Sequence, residues 1–307
     1  MSTERTVSFA SDKLSSDKNL RKELTEASLF SSLQNRLNKV NIDGETYYVA
    51  EGDTLLDVDQ LAFYADHRQK EDQAFKAAQM ASEAGLGVSP LSAAPVRGLL
   101  GMTQDGKIVR WEPGMVLSYR LAHDTFASEE RYKLVADCMQ KATQAWEETC
   151  GVKFNYESQL DQKPGTDPGG ALFSVREFDA QGSFIASSFF PNDPPVRRRV
   201  LIDPSFFQQD LGFDRVGVLR HELGHVIGFR HEHIRSGAPP VCPHESLDGV
   251  IDLTKYDPHS VMHYFCGDVG SRELMITDLD REGSQRVYGP PLSVDNFIFV
   301  GAHGPGG

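Results

Sequence analysis

Eleven residues constrain this chain more than any other stretch: His221-Glu222-Leu223-Gly224-His225-Val226-Ile227-Gly228-Phe229-Arg230-His231. In an α-helix, residues four apart share a face, so His221 and His225 can offer imidazole nitrogens to one metal ion. Glu222 lies beside the first of them and can reach water at that ion without being a ligand itself. Gly228 permits the left-handed residue that ends a helix. The chain then doubles back, so His231 supplies a third nitrogen from outside the helix. Three neutral imidazoles leave one position open for water, the layout of a catalytic zinc site. The plainer alternative is a surface cluster of histidines. The placement of Gly228 and His231 argues against it.

The spacing HExxHxxGxxH followed by a later methionine turn is a metzincin signature. HELGHVIGFRHEHIR (His221 to Arg235) resembles the astacin branch of the metzincins, whose motif continues Glu-His-x-Arg after the third ligand. Ser260-Val261-Met262-His263-Tyr264 resembles that branch's Met-turn, S-x-M-H-Y. The likeness runs from about Lys107 to Gly289 and is specific only at the two motifs. It implies one catalytic Zn2+ held by His221, His225 and His231, with Glu222 as general base. It implies that Met262 forms an apolar base beneath the metal, that Gly228 turns the chain, and that Tyr264 is a labile extra ligand and transition-state donor. Glu232 corresponds to a residue that pairs with the new N-terminus in mature enzymes; a solvated charge is the alternative. GSFIASSFFP (Gly182 to Pro191) sits where metzincins carry a sheet-edge strand, so Ser183, Ile185 and Ser187 are candidates to line an added peptide strand. Arg272, between the Met-turn and the last helix, falls where the family shapes the pocket past the cut, and would favour acidic side chains.

Ala50-Glu51-Gly52-Asp53 resembles the F-x-G-D stretch of astacin propeptides, with Ala in place of the aromatic. The resemblance implies that Asp53 is a metal ligand in a latent form, displacing the water that Glu222 needs. A Gly-Asp turn ending a strand is the simpler reading. No cysteine precedes Cys138, so a thiolate switch from the N-terminal region is excluded.

The fold expected is α+β, a zincin/metzincin fold. A mixed, mostly parallel sheet with an active-site helix stands over a loop-rich C-terminal subdomain, preceded by a helical pro-segment-like region. Residues 1–98 form that region, with a Gly/Ser/Ala/Pro-rich linker at about 85–98. Residues 99–290 form the catalytic domain and 291–307 a tail. Leu20 to Val40 and Asp57 to Gly85 have helical apolar spacing, and Tyr47 to Ala50 is strand-like. Ser128 opens a helix whose stripe is Val135, Met139, Ala142 and Trp146. Strands are predicted at KIVRW, MVLSYRL, GVKFNY, ALFSV, SFIASSFF and RRVLID. Asp214 caps the helix that bears the motif, and Thr277 opens the last one with a capping-box pattern.

Lys and Arg total 31 against 44 Asp and Glu, a formal charge of −13. Such a chain repels phosphate backbones, so no nucleic-acid partner is expected. No apolar run of membrane-spanning length occurs. The first residues lack the apolar core of a signal peptide. Four cysteines allow three pairings: Cys242 and Cys266 bracket a loop-rich segment and form the better bridge, with two buried thiols as the alternative. The usual pair of astacin disulfides cannot be laid onto them. The expected activity is zinc-dependent endopeptidase hydrolysis of protein or peptide substrates by a secreted monomer made as a zymogen. The alternatives are a catalytically silent zinc-binding recognition module and a metzincin of another family with a narrow peptide substrate.

Overall fold

The computed structural model describes residues 29–66, 69, 80, 99–234 and 250–292. The chain divides into two compact units, Met1–Pro95 with Glu245–Asp248, and Val96–His244 with Gly249–Gly307.

The first unit holds an antiparallel sheet of β1 (Asn38–Ile42), β2 (Glu45–Ala50) and β3 (Thr54–Leu56), in that order. Residues 29–36 and 58–66 are helical. Leu33, Tyr48, Leu61 and Ala65 form the core between them. Asp57 and Gln60 cap the second helical segment reciprocally, each side chain accepting from the other's backbone N–H. The helix expected to run on to Val40 instead stops by Leu37, and Val40 lies in β1. The cause is the turn Asp43-Gly44, where both residues have positive φ (56° and 89°). Asp-Gly between strand-forming residues sets a hairpin, and that local signal outweighs the helical spacing before it. The expected linker at 85–98 and most of the tail lie outside the described residues.

The second unit is built on a five-stranded sheet, order β7-β6-β8-β10-β9. Its strands are β6 (Val116–Leu121), β7 (Lys153–Tyr156), β8 (Phe173–Glu177), β9 (Ala186–Ser187) and β10 (Arg199–Ile202). Neighbours are parallel except β9, which runs antiparallel to β10 at the edge. A smaller sheet joins β4 (Leu100–Gln104) to β5 (Lys107–Ile108), β11 (Phe229–Arg230) and β12 (Val250–Asp252). Two expected strands are therefore shorter: KIVRW pairs only over Lys107–Ile108, and SFIASSFF only over Ala186–Ser187.

A long helix, Glu129–Glu147, starts at Ser128, whose side chain accepts from the Arg131 N–H, and buries Val135, Met139, Ala142 and Trp146 as the stripe requires. A second helix, Arg215–Val226, starts at Asp214, whose carboxylate accepts from the Gly217 N–H. The C-terminal helix, Asp278–Tyr288, opens with the Thr277–Asp280 capping box. The architecture is α+β, with one continuous core running from Leu117 and Val175 in the sheet through Trp146 to Leu223 and Met262.

Candidate metal centre

The helix Arg215–Val226 is buried along all of Gly217–Val226. It ends where the Gly228 N–H donates to the His225 carbonyl at 2.8 Å and Gly228 takes φ 94°. A side chain there would be strained, and its Cβ would stand 2.7 Å from the Val109 carbonyl oxygen. The chain leaves the turn as β11, which pairs with Gly101 and Leu100 of β4, and this strand delivers His231. Trp111 Nε1 and the Tyr288 hydroxyl donate to the carbonyls of Val226 and Ile227, so the helix end keeps its backbone satisfied.

His221, His225 and His231 are all buried, and one nitrogen of each lies within 4.8 Å of the others. His221 Nδ1 is 2.8 Å from the Val261 carbonyl and His225 Nδ1 is 2.7 Å from the Phe229 carbonyl. A carbonyl can only accept, so both Nδ1 atoms carry the proton and both Nε2 atoms present lone pairs. His225 Nε2 and His231 Nε2 are 3.1 Å apart. Nitrogens bound tetrahedrally at ~2.0–2.1 Å from one zinc ion stand about 3.3 Å apart. Donor type, tautomer and spacing therefore fit zinc.

Glu222 is buried beside His221, and its backbone carbonyl accepts from the Ser188 hydroxyl at 2.9 Å. Ser188, one residue past β9, thus ties the sheet edge to the ligand helix. No motif marks it, and sequence reasoning missed it.

Met262 is fully buried under the helix. A Cβ on Gly224 would sit 2.3 Å from its Sδ, so this glycine is what lets the methionine seat against the helix between His221 and His225 in sequence. The turn is pinned from the C-terminal helix. Asp280 accepts from the Ser260 hydroxyl at 2.6 Å and the Val261 N–H at 2.8 Å, while also accepting from the Thr277 N–H. The Val261 carbonyl then accepts from His221, so a single residue, Val261, links Asp280 to His221. Burial pushes the Asp280 carboxyl up to about 6, although these donors pull it down. Ser260 and Val261 lie about 20 residues away, so only the capping role of Asp280 is legible in its local sequence.

Glu232 is buried rather than solvated, accepting from the Asp257 N–H at 3.0 Å. The Tyr264 ring packs against His231 and His221, with centroids 4.5 and 5.5 Å apart. Ser183 and Ile185 are half-buried and Ser187 is buried, pairing with Leu201 of β10. The exposed Arg272 guanidinium lies over Phe265 and Phe213 and donates to the Gly212 carbonyl. Asp53 belongs to the other unit, at the start of the return strand of the β2–β3 hairpin, after Glu51 and Gly52 at φ 55° and 91°. Cys266 is disulfide-bonded, while Cys138 and Cys150 are buried free thiols whose pKa burial raises to about 11. Cys242 lies outside the described residues.

Residues 110–238 match the model of the matrixin peptidase family, a span that contains all three histidines and stops short of the Met-turn. No curated protein matches the chain. Among solved structures, high choriolytic enzyme 1, a hatching enzyme zinc-protease from Oryzias latipes (medaka fish), is similar at 18% identity. The match covers 62% of this chain and 99% of that one, with a TM-score of 0.39. Among the described residues, no helix is long and apolar enough to cross a membrane.

Proposed function

We propose that this chain, which carries a metzincin zinc-metallopeptidase domain, is an astacin-like endopeptidase made in a latent form and exported. One observation carries the reading. Three buried imidazoles converge, two of them with the tautomer fixed by backbone carbonyls, and a buried Glu222 stands beside the first. The Tyr264 that ends the Met-turn and the Glu-His-x-Arg after His231 favour the astacin branch over a matrixin.

His221, His225 and His231 would hold the zinc. When bound, zinc supplies Lewis acidity: it polarises the scissile carbonyl and lowers the pKa of water from 15.7 to about 7. Glu222 takes the proton from the attacking water and returns it to the leaving nitrogen. The Tyr264 hydroxyl donates to the developing oxyanion, a contribution of about 3 to 4 kcal/mol in comparable sites. The edge strand supports substrate docking by antiparallel addition along Ser183, Ile185 and Ser187, with Arg272 bordering the pocket past the cut. The disulfide at Cys266 supports an oxidising compartment. A silent recognition module would have no use for a buried carboxylate beside the open position.

Latency rests on Asp53. Gly52 lets the backbone turn tightly, so the hairpin offers a carboxylate at its tip. A carboxylate on the zinc would exclude the attacking water.

Replacing Glu222 with Ala should retain zinc and lower kcat about 10²- to 10⁴-fold. Normal peptide cleavage by this variant would sink the general-base assignment. Trimming near Arg97, or Asp53→Ala in the full chain, should raise activity strongly. If neither does, Asp53 is an ordinary turn residue.

A further inference from the structure

Two imidazoles that are not zinc ligands surround Tyr264. Its N–H donates to His233 Nδ1 at 3.3 Å, and its carbonyl lies 2.6 Å from His263 Nδ1. His233 and His263 are both buried. His233 also lies face to face on the tyrosine ring, with centroids 4.4 Å apart and planes 18° from parallel. The ring also contacts His231, at 4.5 Å and 49°, and the His231 and His233 rings themselves lie 4.9 Å apart. Tyr264, His231 and His233 thus form one three-ring cluster, in which only His231 belongs to the metal centre.

The hydrogen bonds fix which proton each ring carries. His233 Nδ1 accepts an N–H, so its proton sits on Nε2. His263 Nδ1 faces a carbonyl and must donate, which leaves its Nε2 to accept from the Tyr256 hydroxyl at 2.8 Å. The N–H and the C=O of one residue are therefore tied to separate neutral imidazoles in opposite roles. A phenol that has to move between two places needs its backbone held and a defined plane to leave and return to. The two bonds do the first and the His233 stack does the second.

We propose that His233 is a positioning residue for Tyr264. Its Nδ1 anchors the tyrosine backbone and its face holds the ring in the orientation from which the hydroxyl reaches the oxyanion. This rests on the reading of Tyr264 as oxyanion donor. A donor displaced by even a fraction of an ångström loses much of its transition-state interaction while ground-state binding is untouched.

The test is a double-mutant cycle in the zinc-loaded chain, every variant treated with the same limited proteolysis. His233→Ala should lower kcat about tenfold, with KM and bound zinc within twofold of the parent. Affinity for a phosphinic peptide, a mimic of the tetrahedral transition state, should fall in step with kcat. His233→Asn, whose amide oxygen can still accept from the Tyr264 N–H, should recover part of the loss. In a Tyr264→Phe background, His233→Ala should change kcat less than twofold, because the group it positions is gone. Additive losses in the double variant, or an undiminished kcat in His233→Ala, overturn the proposal. So does loss of zinc in both His233 variants, which would make His233 a support of the metal site. An undiminished kcat in Tyr264→Phe alone is a different result: it removes the donor role of Tyr264 itself, and this inference with it.

Discussion

The two helices that pack together in the second unit are built on opposite terms. Glu129–Glu147 buries one face and leaves its other side to water, where Lys133 and Lys141 pair with Glu129 and Asp137 one turn back. Those exposed pairs contribute little, and the helix is held by its stripe. The helix Arg215–Val226 has no solvent face from Gly217 onward, although it carries Arg220, His221, Glu222 and His225. Buried polar groups are tolerable only with partners. Arg220, His221 and His225 find them in backbone carbonyls, those of Leu274, Val261 and Phe229 in turn. The long helix is thus specified by what it covers, and the ligand helix by what surrounds it. Even its close packing depends on missing side chains: a Cβ on Gly217 would stand 2.3 Å from the Glu273 carbonyl oxygen, as one on Gly224 would from Met262.

Trp146 is where the two designs meet, and it gives the largest test. Its ring is fully buried and stacks on Phe229, and its Nε1 donates to the Arg220 carbonyl at 2.8 Å. Trp146→Ala should lower unfolding free energy by about 3 to 5 kcal/mol in chemical denaturation. A loss below about 1 kcal/mol would mean that the long helix does not brace the ligand helix. Gly224→Ala is expected to be milder in stability and sharper in function. Alanine favours the helix by up to about 1 kcal/mol, while overpacking against Met262 costs about 1 to 3 kcal/mol. The melting temperature should fall by only a few degrees, but Met262 must move, and zinc affinity should drop by about tenfold or more in a chelator competition. Unchanged affinity would show that the methionine does not support the ligand pair.

The same contrast explains what could be read from the sequence. The stripe Val135, Met139, Ala142, Trp146 repeats because its helix has an outside, so periodicity finds it. The ligand helix has no outside, and only the chemistry of three histidines and a glycine reveals it. Thr277 and Asp280 were legible as a cap, because a cap is local. The bonds from Asp280 to Ser260 and Val261 were not, because nothing in either segment encodes the other. The helical spacing over Leu20 to Val40 runs into the first three residues of β1, Asn38 to Val40, because apolar spacing carries no sign of the Asp43-Gly44 hairpin that follows. The edge strand reads longer in the sequence than it is in the fold, because its apolar run, SFIASSFF, continues past the two residues that pair with β10.

Asp280 supplies the smallest effect and the finest discrimination, since it supports the ligand helix from outside it. Its carboxyl is pushed from the ordinary 3.8 up to about 6, chiefly by burial. The folded chain therefore binds this proton more tightly than the unfolded chain between about pH 4 and pH 6. Protons held more tightly by the folded state make stability rise as pH falls. The contribution of Asp280 should thus increase from pH 7 down through about 6 and level off near 4. Asp257, which accepts from the Thr277 hydroxyl at the same cap, is present in both proteins when Asp280→Asn is compared with the parent, as are the histidines. Their effects cancel in the difference to first order. Unfolding free energies of the two proteins should diverge as pH is lowered across this window, with the parent gaining. A pH-independent difference would mean that hydrogen bonds from Ser260, Val261 and Thr277 hold the carboxylate charged in spite of its burial. The Met-turn would then be pinned by a buried charge, as the ligand helix is by its carbonyl-bound imidazoles, and the contrast between ligand helix and support would narrow to one of partners alone.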